Sequence, residues 1–89
     1  MWYVTLSRDA IKAVKRLPKN VQERAFGFMK EIEIMGPVRG DWPIYGKLPG
    51  DKHHCHTKKG RPTYVMVWEV MDPNSVEVNY LGTNERVPC

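Results

Sequence analysis

The chain has 89 residues, of which 42% are hydrophobic and 27% charged, and its formal net charge is +4. This length allows one hydrophobic core and excludes a second. No segment approaches the roughly 18 apolar residues of a membrane span, and no basic leader precedes an apolar run. We therefore expect a single cytoplasmic domain over residues 1–89, without membrane contact. Its cysteines, Cys55 and Cys89, form no disulfide framework, which fits a reducing compartment.

The N-terminal half predicts a strand followed by two helices. Trp2 to Leu6 is β-prone, and Ser7 is a good N-cap. The first helix has these apolar residues at helical spacing: Ala10, Ile11, Val14 and Leu17. Pro18 interrupts it and suits the start of a second helix, which Gly36 and Pro37 end. The second helix carries an apolar stripe made of Val21, Ala25, Phe28, Met29, Ile32 and Met35.

The C-terminal half predicts three strands. His53 to Lys59 alternates, with His54, His56 and Lys58 on one face and His53, Cys55, Thr57 and Lys59 on the other. Thr63 to Met71 is almost continuously apolar, as in a central strand covered on both faces. Ser75 to Leu81 alternates, with Val76, Val78 and Tyr80 facing one way. The order β-α-α-β-β-β predicts an α+β fold in which a helical hairpin packs on a small, mainly antiparallel sheet.

A basic, histidine-dense segment, Lys47 to Arg61, separates the helical half from the last strands. Between Arg39 and Arg61 six cations accompany two acids, and this excess equals the net charge of the whole chain. A local positive field attracts phosphate-rich or acidic partners. A solvated surface is the plainer alternative, but the charge accompanies three histidines, His53, His54 and His56. Proton-transfer groups beside phosphate-binding groups favour RNA chemistry.

Four stretches in this order resemble the RelE/ParE superfamily of bacterial and archaeal toxins, over nearly the whole chain. They are LSRDAIKAVKRLPKNVQERAFGFMKEI leading to KLPG, then YVMVWEV, and finally VNYLGTNER. The resemblance implies the toxin of a type II toxin-antitoxin system, restrained by a cognate antitoxin. That antitoxin should offer an acidic segment to the basic surface. RelE-like members cut messenger RNA on the ribosome, whereas ParE-like members poison DNA gyrase.

RNA cleavage requires a base for the 2′-hydroxyl, positive charge at the phosphate and an acid for the 5′-oxygen. Histidine can serve either proton step, and lysine or arginine can hold the phosphate. The catalytic candidates are therefore His54, His56, Lys58 and Arg61. The family's terminal tyrosine is missing here, and Tyr64 is the candidate to replace it. We expect an mRNA interferase, a metal-independent endoribonuclease without a cofactor, that inhibits translation.

Further residues are candidates for holding RNA, and Lys47 matches the basic residue of the family's K-L-x-G step. The RNA-binding candidates are Lys47, Lys52, Lys59, Arg86, Trp42 and Tyr45. Trp42 could instead close the core. A metal site in the HHCH run is disfavoured, because neighbouring side chains on a strand point to opposite faces. A ParE-like gyrase inhibitor and a noncatalytic RNA- or protein-binding relative remain as alternatives.

Overall fold

The structure is a computed structural model that describes residues 1–42, 45–58, 60 and 62–84, and only the backbone of Lys58. Within these residues the chain forms two helices and five strands. The helices are α1 (Arg8–Val14) and α2 (Lys19–Met35). The strands are β1 (Tyr3–Leu6), β2 (Gly46–Lys47), β3 (Lys52–Lys58), β4 (Tyr64–Asp72) and β5 (Ser75–Thr83).

The strands form one mixed sheet in the order β1-β5-β4-β3-β2. Strands β3, β4 and β5 are the antiparallel meander that the sequence predicts, and β1 lies parallel to β5. Strand β2 pairs with β3 at the opposite edge and was not predicted. Its two residues, Gly46 and Lys47, are too few to show an alternating pattern. The α+β architecture is otherwise confirmed.

Local sequence signals explain how the helices begin and end. The side chain of Ser7 accepts a hydrogen bond from the backbone N–H of Ala10, at 3.1 Å, which caps α1 as predicted. Pro18 directly precedes α2. Gly36 ends α2 with φ +95°, a left-handed conformation that glycine adopts without the cost of a Cβ.

The helices cover one face of the sheet through a shared apolar core. The buried members of that core from α1 and α2 are Ala10, Val14, Ala25, Met29 and Ile32. They pack with buried sheet residues, among them Cys55, Met66, Trp68, Val76, Val78 and Leu81. The predicted place of Met35 in this stripe is wrong, because its side chain is 64% exposed. Successive helical residues lie about 100° apart, so the stripe continues from Ile32 to the buried Gly36 instead.

The first helix is also shorter than its apolar spacing suggests. It ends at Val14, and Leu17 lies beyond it in a turn, half-buried against the core. Ile11 is exposed, since Ala10 and Val14 occupy the face that meets the sheet. None of the helices in the described part of the chain is long and apolar enough to cross a membrane.

Candidate active site

Strand β3 presents its histidines to opposite faces of the sheet. Three buried side chains lie on the face that the helices cover: His53, Cys55 and Thr57. His54 and His56 lie half-buried on the other face, as the alternation predicts. After His56 a bulge shifts the register, and Lys58 pairs with Tyr64. The predicted row of His54, His56 and Lys58 is therefore interrupted at the bulge.

Two rows of paired residues cross the face that bears His54 and His56, which we call the histidine face. The rows are His54–Val67–Tyr80 and His56–Val65–Gly82. Val65 and Val67 are buried, yet they lie outside the core that the helices form with the sheet. The histidine face therefore has imidazoles on one side, an apolar strip in the middle and the Tyr80 phenol on the other side.

Tyr80 was not among the predicted site residues. The sequence pattern placed it on the same face as Val76 and Val78, and that placement is wrong. Both valines are buried in the core. Two consecutive residues of β4 pair with the residues on either side of Asn79, so Asn79 is an extra residue in β5 and forms a bulge. This bulge turns Tyr80 to the histidine face and brings Leu81 into the core. One sequence signal indicates this bulge. Regular alternation from Val78 would direct residue 81 away from the core, yet that residue is the apolar Leu81.

Each of two rings on the histidine face lies against a glycine. A methyl group added to Gly46 would lie 2.6 Å from Nε2 of His54, and one added to Gly82 would lie 2.8 Å from the Tyr80 hydroxyl. That hydroxyl donates a 2.6 Å hydrogen bond to the carbonyl oxygen of Thr83. Both rings therefore occupy space that a side chain at the neighbouring position would take.

Tyr64 does not join the histidines, contrary to its predicted role as the tyrosine of the site. It is the first residue of β4 and pairs with Thr83 and with the backbone of Lys58. Its neighbour Val65 belongs to the histidine face, so strand alternation directs Tyr64 to the opposite face. Tyr80 is the tyrosine that shares a row with a histidine.

His53 forms a buried polar pair with Tyr45 on the covered face. The Tyr45 hydroxyl lies 2.7 Å from Nδ1 of His53, and the His53 ring stacks on Trp68 at a centroid distance of 5.7 Å. Burial lowers the pKa of His53, as does the nearby charge of Lys47, while Asp51 opposes these effects. Burial also raises the pKa of Tyr45. Both shifts favour the neutral forms of the pair near pH 7.

The predicted stacking residues Trp42 and Tyr45 are both occupied by internal contacts. Trp42 is buried, with its ring 4.5 Å from that of Phe28 and 5.4 Å from that of Trp68. This packing favours the alternative in which Trp42 closes the core. Tyr45 is half-buried and pairs with His53. The loop composition predicts exposed rings, whereas Trp42 is buried and Tyr45 is partly buried against the core.

The cations of the basic segment do not all contribute to one exposed field. Arg39 is buried, donates a 2.8 Å hydrogen bond to Asp41 and lies 5.1 Å from the centre of the Trp42 ring. Lys47 is exposed on β2, opposite His53, and Lys52 pairs with Glu69 across the histidine face. The following predicted cations lie outside the described residues: Lys59, Arg61 and Arg86.

Carboxylates mark the far end of the histidine face. Glu69 pairs with Glu77, and Lys52 is the neighbour of Glu69 on the other side. Two like charges in opposite positions disfavour a phosphate at that end. The row of Glu69 and Glu77 is therefore the less favourable end of the histidine face for an anionic ligand. Among the described side chains, no group of three or more His, Cys, Asp or Glu residues is placed to hold a metal ion.

Solved structures of bacterial and archaeal toxins share this architecture. An intact E. coli RelBE toxin-antitoxin complex contains a chain with a TM-score of 0.74 and 21% identity, covering 97% of this chain and 100% of that one. A YoeB-YefM complex from Staphylococcus aureus gives 0.72 and 17%, with 94% and 98% covered. The chain has the fold of RelE and YoeB toxins. The resemblance noted in the sequence is thus confirmed for the fold.

The likeness extends to archaea. A RelE-RelB complex from Pyrococcus horikoshii matches with a TM-score of 0.62 and 20% identity, over 97% of this chain and 98% of that one. No protein-family model matches the sequence, and no curated protein matches it. Identities near 20% together with almost complete coverage show a fold that is kept while most side chains differ. The activity must therefore be argued from this chain's own residues.

Proposed function

We propose that the protein is the toxin of a type II toxin-antitoxin pair and cleaves messenger RNA on the ribosome without a metal ion. One observation carries the proposal: two imidazoles, His54 and His56, lie half-buried on the face of the sheet opposite the helices, in a chain with the RelE and YoeB fold. Imidazoles are the side chains best suited to move protons near neutral pH. Their accessibility distinguishes them from His53, which is buried.

The reaction needs two proton transfers, and the two histidines divide them. One imidazole takes the proton of the ribose 2′-hydroxyl, and the 2′-oxygen then attacks the adjacent phosphorus. The bond from phosphorus to the 5′-oxygen breaks, and the other imidazole donates a proton to that oxygen. The products are a 2′,3′-cyclic phosphate and a free 5′-hydroxyl. General acid-base groups contribute about 10² to 10⁴ in rate.

Positive charge at the phosphate is assigned to residues that follow His56. The phosphate-holding candidates are Lys58, the last residue of β3, and Lys59 and Arg61, which follow it in the sequence. Glu69 and Glu77 disfavour the opposite end, which is consistent with this direction. Lys47, Lys52 and Arg86 stay predictions for holding RNA.

We assign to Tyr80 the stacking role that is predicted for Tyr64 from the sequence. Its half-buried ring lies across the apolar strip from His54, with only Val67 between them in the row. A phenol ring beside an apolar strip offers a surface on which a splayed nucleotide base can stack. Trp42 and Tyr45 are left out of this role because other side chains cover their rings.

The proposed partner is a cognate antitoxin. The solved structures that share the fold include toxins in complex with RelB and YefM, which supports a partner of this kind. The net charge of +4 calls for an acidic segment on that partner. By covering the histidine face, such a segment would exclude RNA. Action on translating ribosomes places the protein in the cytoplasm.

The test is to map messenger RNA ends by primer extension in a translating extract that contains the purified protein. New ends should appear with the unaltered protein and disappear with the double variant His54→Ala/His56→Ala. Lys19→Ala, an exposed substitution at the start of α2, is the matched control and should cleave normally. Circular dichroism of all three proteins checks that they fold.

Two results would contradict the proposal in different ways. If translation or replication stops without new RNA ends, the nuclease activity is absent, and a ParE-like action on gyrase replaces it. If the double variant cleaves as fast as the unaltered protein, the protein is a nuclease whose site is not the histidine face. A protein that binds RNA but neither cuts it nor stops growth is a noncatalytic relative.

A further inference from the structure

We propose that Gly46 is a positioning residue, which holds the His54 imidazole in its place on the histidine face by leaving the space beside it empty. The expected effect on RNA cleavage rests on the proposed function. The position of the His54 ring rests on geometry alone. Gly46 pairs with His54 across β2 and β3. A methyl group at residue 46 would lie 2.6 Å from Nε2, 3.2 Å from Cε1 and 3.4 Å from Cδ2 of that ring.

The backbone conformation of residue 46 does not require a glycine. The space taken by the His54 ring does. Gly36, Gly50 and Gly60 adopt positive φ angles that side chains disfavour, whereas Gly46 does not. Any residue could adopt its extended conformation in β2. What another residue could not do is share the volume occupied by the His54 ring.

The closest atom is the far end of a side chain that can rotate. Atoms at 2.6 Å overlap, so a methyl group at residue 46 forces the imidazole to leave this position. The sheet need not deform, because a rotation of His54 relieves the overlap. Substitution should therefore displace a proton-transfer group by about an ångström or more while the fold remains. A displacement of that size can cost about 10²-fold in rate.

The other side of the sheet keeps Gly46 at this distance. The Tyr45 hydroxyl lies 2.7 Å from Nδ1 of His53, and these two residues directly precede Gly46 and His54. Strand β2 has only two residues, and its continuation is a 2.8 Å hydrogen bond from Leu48 N–H to the Lys52 carbonyl. The buried pair therefore adds a side-chain tether to a short edge strand. Gly46 is thus fixed beneath the ring rather than free to move with it.

A purely structural role is the competing explanation. Rings often pack over glycines in antiparallel pairs and stabilise the sheet without any further purpose. In that case Gly46→Ala would change the stability but would act on cleavage independently of His54. A positioning role predicts the opposite, because an effect transmitted through His54 must vanish when His54 is absent.

The experiment is a double-mutant cycle of Gly46→Ala and His54→Ala, measured as cleavage rate at saturating and subsaturating RNA. Gly46→Ala should lower kcat by about 10- to 100-fold, with a smaller change in KM. In the His54→Ala background it should cause no further loss. Gly40→Ala is the matched control, since nothing lies within 4 Å of a methyl group there and its φ is not positive. It should cleave normally.

A measurement on the folded protein separates this inference from the proposed function. Nuclear Overhauser contacts between the Gly46 α-protons and the His54 ring protons should be present in the unaltered protein and in Gly40→Ala. In Gly46→Ala the ring resonances of His54 should shift, and those of His56 should stay. If the protein cuts no RNA, the proposed function fails and these spectra still decide the position of the ring. Unchanged His54 resonances in Gly46→Ala, or equal rate losses in both backgrounds, would overturn the inference.

Discussion

The two faces of β3 carry the same residue type in different environments. His53 is 3% exposed, hydrogen-bonded to Tyr45 and stacked on Trp68. His54, the next residue, is half-buried on the opposite face and pairs with Gly46 at the sheet edge. A change of one position along a strand is therefore enough to turn a histidine from a structural group into a candidate for proton transfer.

Burial is the physical reason for this division. An imidazole surrounded by aromatic rings is disfavoured in its charged form, and the pKa of His53 is lowered accordingly. Catalysis by proton transfer requires a group that reaches its substrate and can be both protonated and deprotonated near the working pH. The covered face should thus control stability, and the histidine face should control activity.

The largest expected effect tests the histidine face. His54→Ala or His56→Ala should each reduce cleavage of messenger RNA by about 10² to 10⁴-fold, the usual contribution of one acid or base. The free energy of unfolding should change by about 1 kcal/mol, less than for a fully buried side chain, because both side chains are half-buried. Primer extension gives the rate, and urea unfolding gives the stability. A large loss of stability with intact cleavage would reverse the roles assigned to the two faces.

The next effect tests the covered face. His53→Ala should lower the free energy of unfolding by about 2 to 4 kcal/mol, since it leaves a cavity beside Trp68 and removes the partner of Tyr45. Urea unfolding followed by tryptophan fluorescence measures it. His56→Ala on the same strand is the matched comparison and should change stability far less. Equal losses for the two variants would show that burial does not separate the faces.

A smaller effect isolates the polar part of that pair. Tyr45→Phe keeps the ring that contacts His53 and Trp68 and removes only the hydroxyl. The imidazole then lacks a hydrogen-bond partner at Nδ1, and the free energy of unfolding should fall by about 1 kcal/mol. Tyr3→Phe, which alters an exposed tyrosine on β1, is the control and should leave stability unchanged. If Tyr45→Phe is as stable as the unaltered protein, the hydrogen bond of the Tyr45 hydroxyl adds nothing to stability.

The sequence predicts the histidine face because β3 alternates regularly from His53 to Thr57. Alternation depends only on neighbouring residues, so no knowledge of the partner strands is needed. Tyr80 could not be placed in this way, because the bulge at Asn79 arises from how β5 pairs with β4. The place of Tyr80 on the histidine face follows from that long-range pairing.

Loops and edges were predicted less well than the central elements, for a related reason. Trp42 follows a Gly- and Pro-rich stretch that resembles an exposed loop, and its burial depends on contacts with Phe28 and Trp68. Arg39 adds a positive charge to the basic segment of the sequence. In the fold its guanidinium donates a hydrogen bond to Asp41 and lies over the Trp42 ring. Local composition carries no information about either contact.

The last prediction concerns pH, and it tests the protonation of the buried His53. The pKa of His53 is lowered below 6.5, first by burial and then by Lys47, so the unfolded chain takes up its proton at a higher pH than the folded chain. The stability that depends on neutral His53 is therefore complete above pH 6.5 and is lost as the pH falls through 6.5 towards the folded pKa. Acidification from pH 8 to pH 5.5 should lower the free energy of unfolding.

The variant His53→Gln serves as the reference, because it keeps His54 and His56 and removes only the buried titrating group. It should be less stable at pH 8 but should lose less stability on acidification. The free energy of unfolding is plotted against pH for both proteins, and the difference between the two slopes gives the contribution of His53. Urea unfolding at several pH values between 5.5 and 8 gives both slopes. Parallel slopes would mean that His53 binds its proton equally well in the folded and unfolded chains. The contrast between the faces would then rest on accessibility and not on protonation.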